Sequence, residues 1–323
     1  MSNHDQTHAD QSHHAINDRQ RLYRLAGVLC IGGVFLTTAW MVQPHGASAS
    51  STDPFAALPD SYEVIAVVRD FKGKDEDGGH PDFESFGGTT TIGLVDEYLD
   101  TDGLPTAKNP RGKELVNEYK DKEGRNINPA LYNADLGDVA GSTKPGPSSN
   151  GFQSVHSFSQ WYRDVPGVNA ARQVALTFHR IPNTTHYVFD SATDEPYKSL
   201  GGFFPINGQL YGNYKNTGKD FHFTTELSTQ FTYVAGEEQV FKFTGDDDVW
   251  VFIGGRLVLD LGGLHPRREQ VVDLSRLDWL VDGKTYDLRV FHAERHTSES
   301  NFRVETTLRL RTAELPPSAG LHD

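Results

Sequence analysis

An all-β fold, an antiparallel β-sandwich, is predicted by three stretches of this 323-residue chain. Residues 302–310 alternate strictly: Phe302, Val304, Thr306, Leu308 and Leu310 fall on one side, and Arg303, Glu305, Thr307 and Arg309 on the other. That period of two is the signature of a strand with one face in water. Val249-Trp-Val-Phe-Ile253 is short, β-branched and aromatic, which suits a strand buried on both faces. Gly254-Gly255 then supplies two residues free to take positive φ, and 257–261 returns as the partner strand of a hairpin. One hydrophobic helix is expected before the sandwich, and a long irregular insertion at 96–150 within it.

The chain opens with a largely polar stretch of 24 residues that ends in a basic patch, Arg19, Arg21 and Arg24. An apolar run at 25–42 follows, then Pro44 and the triplet Ala47-Ser48-Ala49. This is the order of a secretory signal peptide with an A-x-A cleavage site. An uncleaved signal-anchor helix is the other reading, since 18 residues just span a bilayer. Either way the basic flank stays in the cytoplasm and the rest is exported, to the envelope or beyond. The single cysteine, Cys30, lies inside the apolar run, so the exported part has no disulfide. Loss of the first 49 residues would leave 274 of the 323, enough for a large core without staples. The net charge of −14 argues against nucleic acid or an anionic membrane surface as partner.

Residues 50–60 read as a linker and 61–70 as an apolar strand. The insertion at 96–150 is rich in proline and charge and has little periodicity, which suits a surface excursion with at most one short helix. Within it, Asp100-Thr-Asp102-Gly103 resembles the start of a calcium loop but lacks the closing glutamate, and a plain turn is the better reading. Residues 170–180 and 185–189 read as two strands, 221–227 and 230–234 as two more, and 237–243 as the strand leading to the acidic turn. Strands at 270–274 and 286–293 follow, the latter with Tyr286, Leu288, Val290 and His292 on one face. A frayed tail occupies 313–323.

Asp246, Asp247 and Asp248 crowd the mouth of the strand at 249–253. Such crowding is costly unless a cation or water is present. One reading is a solvated loop whose acids end a strand. The other is a hard-cation site, for Ca²⁺ collects six to eight oxygens and adjacent carboxylates can supply several. Spacing alone leaves both open.

Gly245-Asp-Asp-Asp-Val-Trp-Val-Phe-Ile253 and Leu257-Val-Leu-Asp-Leu-Gly-Gly-Leu-His265 resemble the core of the fibro-slime domain, a bacterial and slime-mould branch of the PA14 superfamily. The likeness extends to 62–71 with His80-Pro-Asp-Phe83, to Phe158-Ser-Gln-Trp-Tyr-Arg-Asp164, Phe203-Phe-Pro205, and Phe221-His-Phe-Thr-Thr-Glu-Leu227. Ala293-Glu-Arg-His296 and 300–306 complete it. The resemblance implies a PA14-like sandwich over 61–312 and a bacterial carbohydrate-binding or adhesive module. It also implies that Asp246 and Asp247, joined by a cis peptide, hold Ca²⁺, with Asn301 as a further ligand. Asp248 and Glu294 are weaker candidates. His265 and His296 could donate to a sugar, and Trp161 could stack on one. Each has a plainer alternative: an ion pair fixing the loop for Glu294 and His296, and the core for Trp161 beside Phe158.

No G-x-S-x-G elbow, H-E-x-x-H helix, C-x-x-C pair or Walker loop occurs. A glycosidase needs two well-placed carboxylates, which 44 acidic residues cannot exclude, but three packed aspartates suit a cation better than an acid/base pair. The expected function is therefore calcium-dependent binding of a glycan without catalysis. The alternatives are an envelope or matrix scaffold with a structural calcium, and a polysaccharide hydrolase. The membrane is expected as a partner only through residues 25–42.

Overall fold

The computed structural model describes residues 53–312, so the hydrophobic run at 25–42, its cleavage triplet and the tail lie outside the described residues. The strands are β1 (Ser61–Phe71), β2 (Thr91–Ile92), β3 (Lys113–Asn117), β4 (Ser142–Pro145), β5 (Asn169–Arg180), β6 (Tyr187–Asp190) and β7 (Phe223–Thr232). They continue with β8 (Val240–Gly245), β9 (Asp248–Ile253), β10 (Arg256–Leu261), β11 (Arg268–Asp273), β12 (Thr285–Glu294), β13 (Phe302–Thr306) and β14 (Arg311–Thr312). Two short helices, α1 (Val155–Phe158) and α2 (Tyr197–Leu200), lie between them. Among the described residues no helix is long and apolar enough to cross a membrane.

The main sheet is antiparallel throughout, in the order β10-β9-β12-β7-β1-β5-β6-β13-β8-β11, with β14 added to β7. Its two ends meet: Gln270 of β11 accepts the Asp260 N–H of β10 at 2.9 Å and donates to the Asp260 carbonyl at 3.3 Å. The sheet is thereby nearly closed into a sandwich, and both edges are covered without a chain of ladder bonds between them.

Strand β9 is buried along its whole length because it separates two cores. Val249, Val251 and Ile253 face the interior with Val290, Val304 and Phe243. Trp250 and Phe252 point the other way, into a second cluster with Phe83, Phe158, Trp161 and Phe291. Alternation thus sends β-branched residues inward and aromatics outward, and a layer of loops covers the aromatics. The expected hairpin is present, with Gly254 at φ 59° and Gly255 at φ 79°.

Three expectations change. Residues 221–227 and 230–234 form one strand, β7, because Thr224–Thr232 pair with β12 without a break across Ser228 and Thr229. The alternation at 302–310 outlasts its strand. Pairing stops at Thr306, whose hydroxyl donates to the Val240 carbonyl and accepts the Leu308 N–H, while Leu308 and Leu310 stay buried. The insertion is not irregular throughout, for β2, β3 and β4 make a separate three-stranded sheet. Its β3 and β4 are half-exposed or exposed and leave no hydrophobic period to read. The helical content of the insertion is two 3₁₀ turns, Pro129–Leu131 and Ala134–Leu136.

Candidate functional site

The acidic triplet lies where the chain crosses between layers of the sandwich. β8 pairs with β13 and β11, whereas β9 pairs with β12 and β10, so the chain at 245–248 turns the corner. Gly245 fits there because a Cβ would collide with the Asn301 carbonyl oxygen and the Phe243 ring. Asp247 takes φ 52°, a left-handed conformation that Asp tolerates better than most residues. Among the described residues the one cis peptide is Glu195–Pro196. The Asp246–Asp247 link expected to be cis is therefore trans, and the turn is made by the positive φ of Asp247.

The left-handed residue breaks strand alternation, and the three carboxylates diverge. Asp246 Oδ1 accepts the Asn301 N–H at 2.5 Å and Oδ2 accepts the Asn301 Nδ2 at 2.8 Å. Burial pushes its carboxyl up to about 6, against those two bonds. Asp247 Oδ2 accepts the Arg295 N–H at 2.8 Å. Burial, and then the charge of Asp246, push it to about 7, with Arg295 opposing. Asp248 points into the second core. Its Oδ2 accepts Arg295 Nε at 2.6 Å and its Oδ1 accepts the Gly263 N–H at 2.6 Å. Both side chains of that ion pair are fully buried.

Arg295 is the cation that anchors this corner. Its guanidinium also donates to the carbonyls of Gly151 (2.8 Å) and Asn150 (3.2 Å) and lies 4.9 Å from the Trp161 ring centroid. Asp248 is accordingly a structural partner of Arg295, which neutralises its charge, and it does not line the cleft that Asp246 and Asp247 share. Trp161 is 0 % exposed, and its Nε1 donates to Asp82 Oδ2 at 3.0 Å. It has no free face for a sugar, so of the two readings of Trp161 the core one holds and the platform does not.

Asp246, Asp247, His265 and His296 do converge, around a cleft of about 260 Å³ that Glu299 also lines. His265 is buried, with Nδ1 3.0 Å from the Pro266 carbonyl and Nε2 3.2 Å from that of Leu261. Its ring N–H therefore already has an internal acceptor. His296 Nδ1 stands 3.2 Å from Glu84 Oε1. Burial raises the Glu84 pKa, but the hydrogen bond with His222 and the charges of His222 and His296 outweigh it and hold the carboxyl below the usual range. Glu294 is buried behind Asp247, and its Oε2 has no hydrogen-bond partner. Burial and the charges of Asp247 and Asp246 push it well above the ordinary carboxylate value.

Sequence reasoning missed two rim residues. Glu299 Oε2 accepts Asn301 Nδ2 at 3.3 Å, and its only signal was a place two residues before Asn301. Phe86 is 61 % exposed, directly precedes Gly87 and Gly88 of the cleft wall, and meets the His296 ring edge-on at 4.7 Å. Lys74 sits 5.6 Å above the Phe86 ring. A large apolar side chain left in water beside a polar cleft is the kind of exposure that marks a contact surface.

Whether a hard cation fits can be judged from the donors. Asp246 and Asp247 are adjacent oxygen donors at the cleft, and their protein partners there are neutral N–H groups. Asn301 turns its NH₂ toward Asp246 and Glu299, leaving Oδ1 as the atom that could join an ion. Among the described residues no three Asp, Glu, His or Cys side chains gather closely enough to enclose a metal. The donor set thus fits an ion whose shell is finished by backbone, water or ligand oxygens, and not a closed cage.

Comparison with known proteins places the acidic corner inside a recognised domain. A PA14 domain model matches residues 215–316, which contain β7 through β14 and the acidic triplet. Protein psiQ of Dictyostelium discoideum is 32% identical over 209 residues, 60% of this chain and 20% of its own length. Protein psiH of the same organism is 34% identical over 243 residues, 72% of this chain and 29% of its own. The chain therefore spans less than a third of those relatives, and both are from Dictyostelium rather than from the bacterial source expected. The solved structure of a β-glucosidase from Kluyveromyces marxianus in complex with glucose covers 28% of this chain and 11% of its own at 15% identity. Its TM-score of 0.20 is too low to carry any argument. The chain carries a PA14 domain over residues 215–316 and is a homologue of the Dictyostelium psi proteins.

Proposed function

We propose that this is an exported, calcium-dependent glycan-binding or adhesion module of the fibro-slime type, acting by recognition rather than catalysis. The observation that carries the reading is the pair Asp246–Asp247, buried yet lining a cleft of about 260 Å³. Ca²⁺ held there by the two carboxylates and Asn301 Oδ1 would keep coordination positions for vicinal hydroxyls of a sugar. Phe86 at the rim would stack on the apolar face of the same ring, the part first assigned to Trp161. PA14 domains are often carbohydrate-binding or adhesion-related, which supports a glycan as the partner. Single hydroxyl–calcium contacts are weak, so useful strength would come from many copies on one surface. Residues 1–49 would direct export and, if uncleaved, hold the protein in the membrane through 25–42.

A second reading has its own support. Asp246 ties β8 to the Asn301 backbone and Asp247 ties it to that of Arg295, so an ion here would also brace two loops. In that case the calcium is structural and the protein a scaffold. Glycan-array binding with and without EDTA separates the two. Binding lost on chelation supports the lectin reading, whereas a lower melting temperature with no glycan bound at any calcium level supports the scaffold. Release of reducing sugar from a polysaccharide would overturn both.

A further inference from the structure

Away from the cleft, β1 and the run into β7 bring a second pair of carboxylates together. Asp70 lies opposite Phe223 in the β1–β7 ladder, and the Phe71 N–H donates to the His222 carbonyl at 2.8 Å. Asp220 lies three residues before Phe223, so the register places it near the end of β1. Both are almost fully buried, Asp70 at 1 % and Asp220 at 2 % exposure. Asp70 Oδ2 accepts the Tyr211 N–H at 2.7 Å, and the Asp220 N–H donates to Asn207 Oδ1 at 3.0 Å. Asp70 Oδ1 and Asp220 Oδ2 have no hydrogen-bond partner at all.

Several other buried carboxylates are neutralised by arginine. Asp248 has Arg295, Asp138 has Arg276, and Glu226 has both Arg69 and Arg289. Among the described residues no Lys, Arg or His forms an ion pair with Asp70 or Asp220. The charge felt by Asp220 comes instead from Asp70 and from Glu76 of the following loop, so repulsion adds to burial in disfavouring its ionised form. A shared proton is the usual escape for two such acids. Two buried carboxylate oxygens that no donor and no cation among the described residues reaches also suit an ion bridging them.

We propose that Asp70 Oδ1 and Asp220 Oδ2 hold a second hard divalent cation of the Ca²⁺ class, separate from the Asp246–Asp247 corner. With two carboxylates, the remaining four to six positions of a calcium shell would fall to backbone carbonyls and water. The ion would link the end of β1 to the loops at 203–220, bracing the far side of the sheet from inside.

Calcium titration of the full chain by calorimetry, with Ca²⁺ alone, tests this. Asp247→Asn protein is expected to retain one equivalent of bound Ca²⁺, and Asp247→Asn/Asp220→Asn none while keeping its circular dichroism spectrum. Retention of that equivalent in the double variant overturns the assignment, as does complete loss of binding in Asp247→Asn alone. Should the double variant fail to fold, Tb³⁺ soaked into crystals of Asp247→Asn decides. Anomalous density about 2.3–2.6 Å from Asp70 Oδ1 and Asp220 Oδ2 upholds the site, and its absence there overturns it. If wild type and Asp247→Asn both bind one equivalent and Asp220→Asn binds none, the second site stands and the calcium reading of the cleft falls.

Discussion

Arg295→Met is the substitution on which the account of the corner is most exposed. The arginine is fully buried with Asp248, and it gives three further hydrogen bonds of Nη1 and Nη2 to carbonyls at Gly151, Asn150 and, at 3.5 Å, Asp82. Methionine fills most of the volume but leaves the Asp248 carboxylate facing apolar surroundings with the Gly263 N–H as its remaining donor. Breaking one partner of a buried pair costs about 3–5 kcal/mol. The abandoned carbonyls put the expected loss at the upper end, about 5 kcal/mol, with water entry as the main relief. For a domain of this size that is a fall in melting temperature of about 10–15 °C. Asp248→Asn, which removes the same attraction from the other side, should cost about 3 kcal/mol. In the double variant neither charge is stranded, so the two losses should fall short of additivity by about 2 kcal/mol or more. Urea unfolding of the four proteins measures this directly. Additive losses, or a loss below about 1 kcal/mol for Arg295→Met, would refute the claim that Arg295 holds the three loops together through Asp248.

Other expectations follow from the same geometry. Asp247→Ala should reduce the calcium-linked rise in melting temperature, read by calorimetry with and without EDTA, to what an ion at Asp70 and Asp220 contributes, while an unchanged rise would remove the cleft as a calcium site. Phe86→Ala should weaken glycan binding at least about tenfold, or about 1.4 kcal/mol, and leave calcium affinity untouched; equal loss of both would mean that Phe86 supports the loop rather than the ligand. Burial raises the Glu305 pKa, but hydrogen bonds from Arg303 and Lys242 outweigh it and depress the carboxyl to about 2. Its stabilising contribution is therefore complete above the ordinary value near 4.5 and lost as pH falls toward 2. Since these partners are partly exposed, screening reduces that contribution to about 1 kcal/mol. Glu305→Gln should remove it, so that the stability gap between wild type and variant closes between pH 4.5 and 2.

What could be read from the sequence was what short-range pattern encodes. The hairpin through Gly254 and Gly255, the inward face of β12 and the burial of β9 follow from turn chemistry and from periods of two. The partners of side chains could not be read, because they are distant in the chain. Asp248 meets Arg295 across 47 positions and Trp161 meets Asp82 across 79. Trp161 stood beside Tyr162 and Arg163 in a polar-looking stretch, and only closure of the sheet shows that the loops carrying it roof the second core. Phe86 had the opposite problem, as a single phenylalanine near glycines is as easily core as surface. The small sheet in the insertion was invisible because half-exposed strands such as β3 and β4 have no buried face to impose a pattern on composition.

Three identical neighbours end in three environments because one of them, Asp247, sits at positive φ. Without that turn, Asp246 and Asp248 would share a face and compete for the same partner. With it, Asp248 takes the guanidinium, and Asp246 and Asp247 are left with neutral donors, the amides of Asn301 and the backbone of Arg295. Glu299 adds another carboxylate to the same cleft. A corner meant only to be stable would be better served by a second arginine. Two buried acids held in place chiefly by neutral groups, their ionised forms disfavoured by burial, are the kind of pair that a divalent ion would stabilise. That unmet demand for positive charge, more than the count of aspartates, is the ground for proposing a binding corner rather than a strand end.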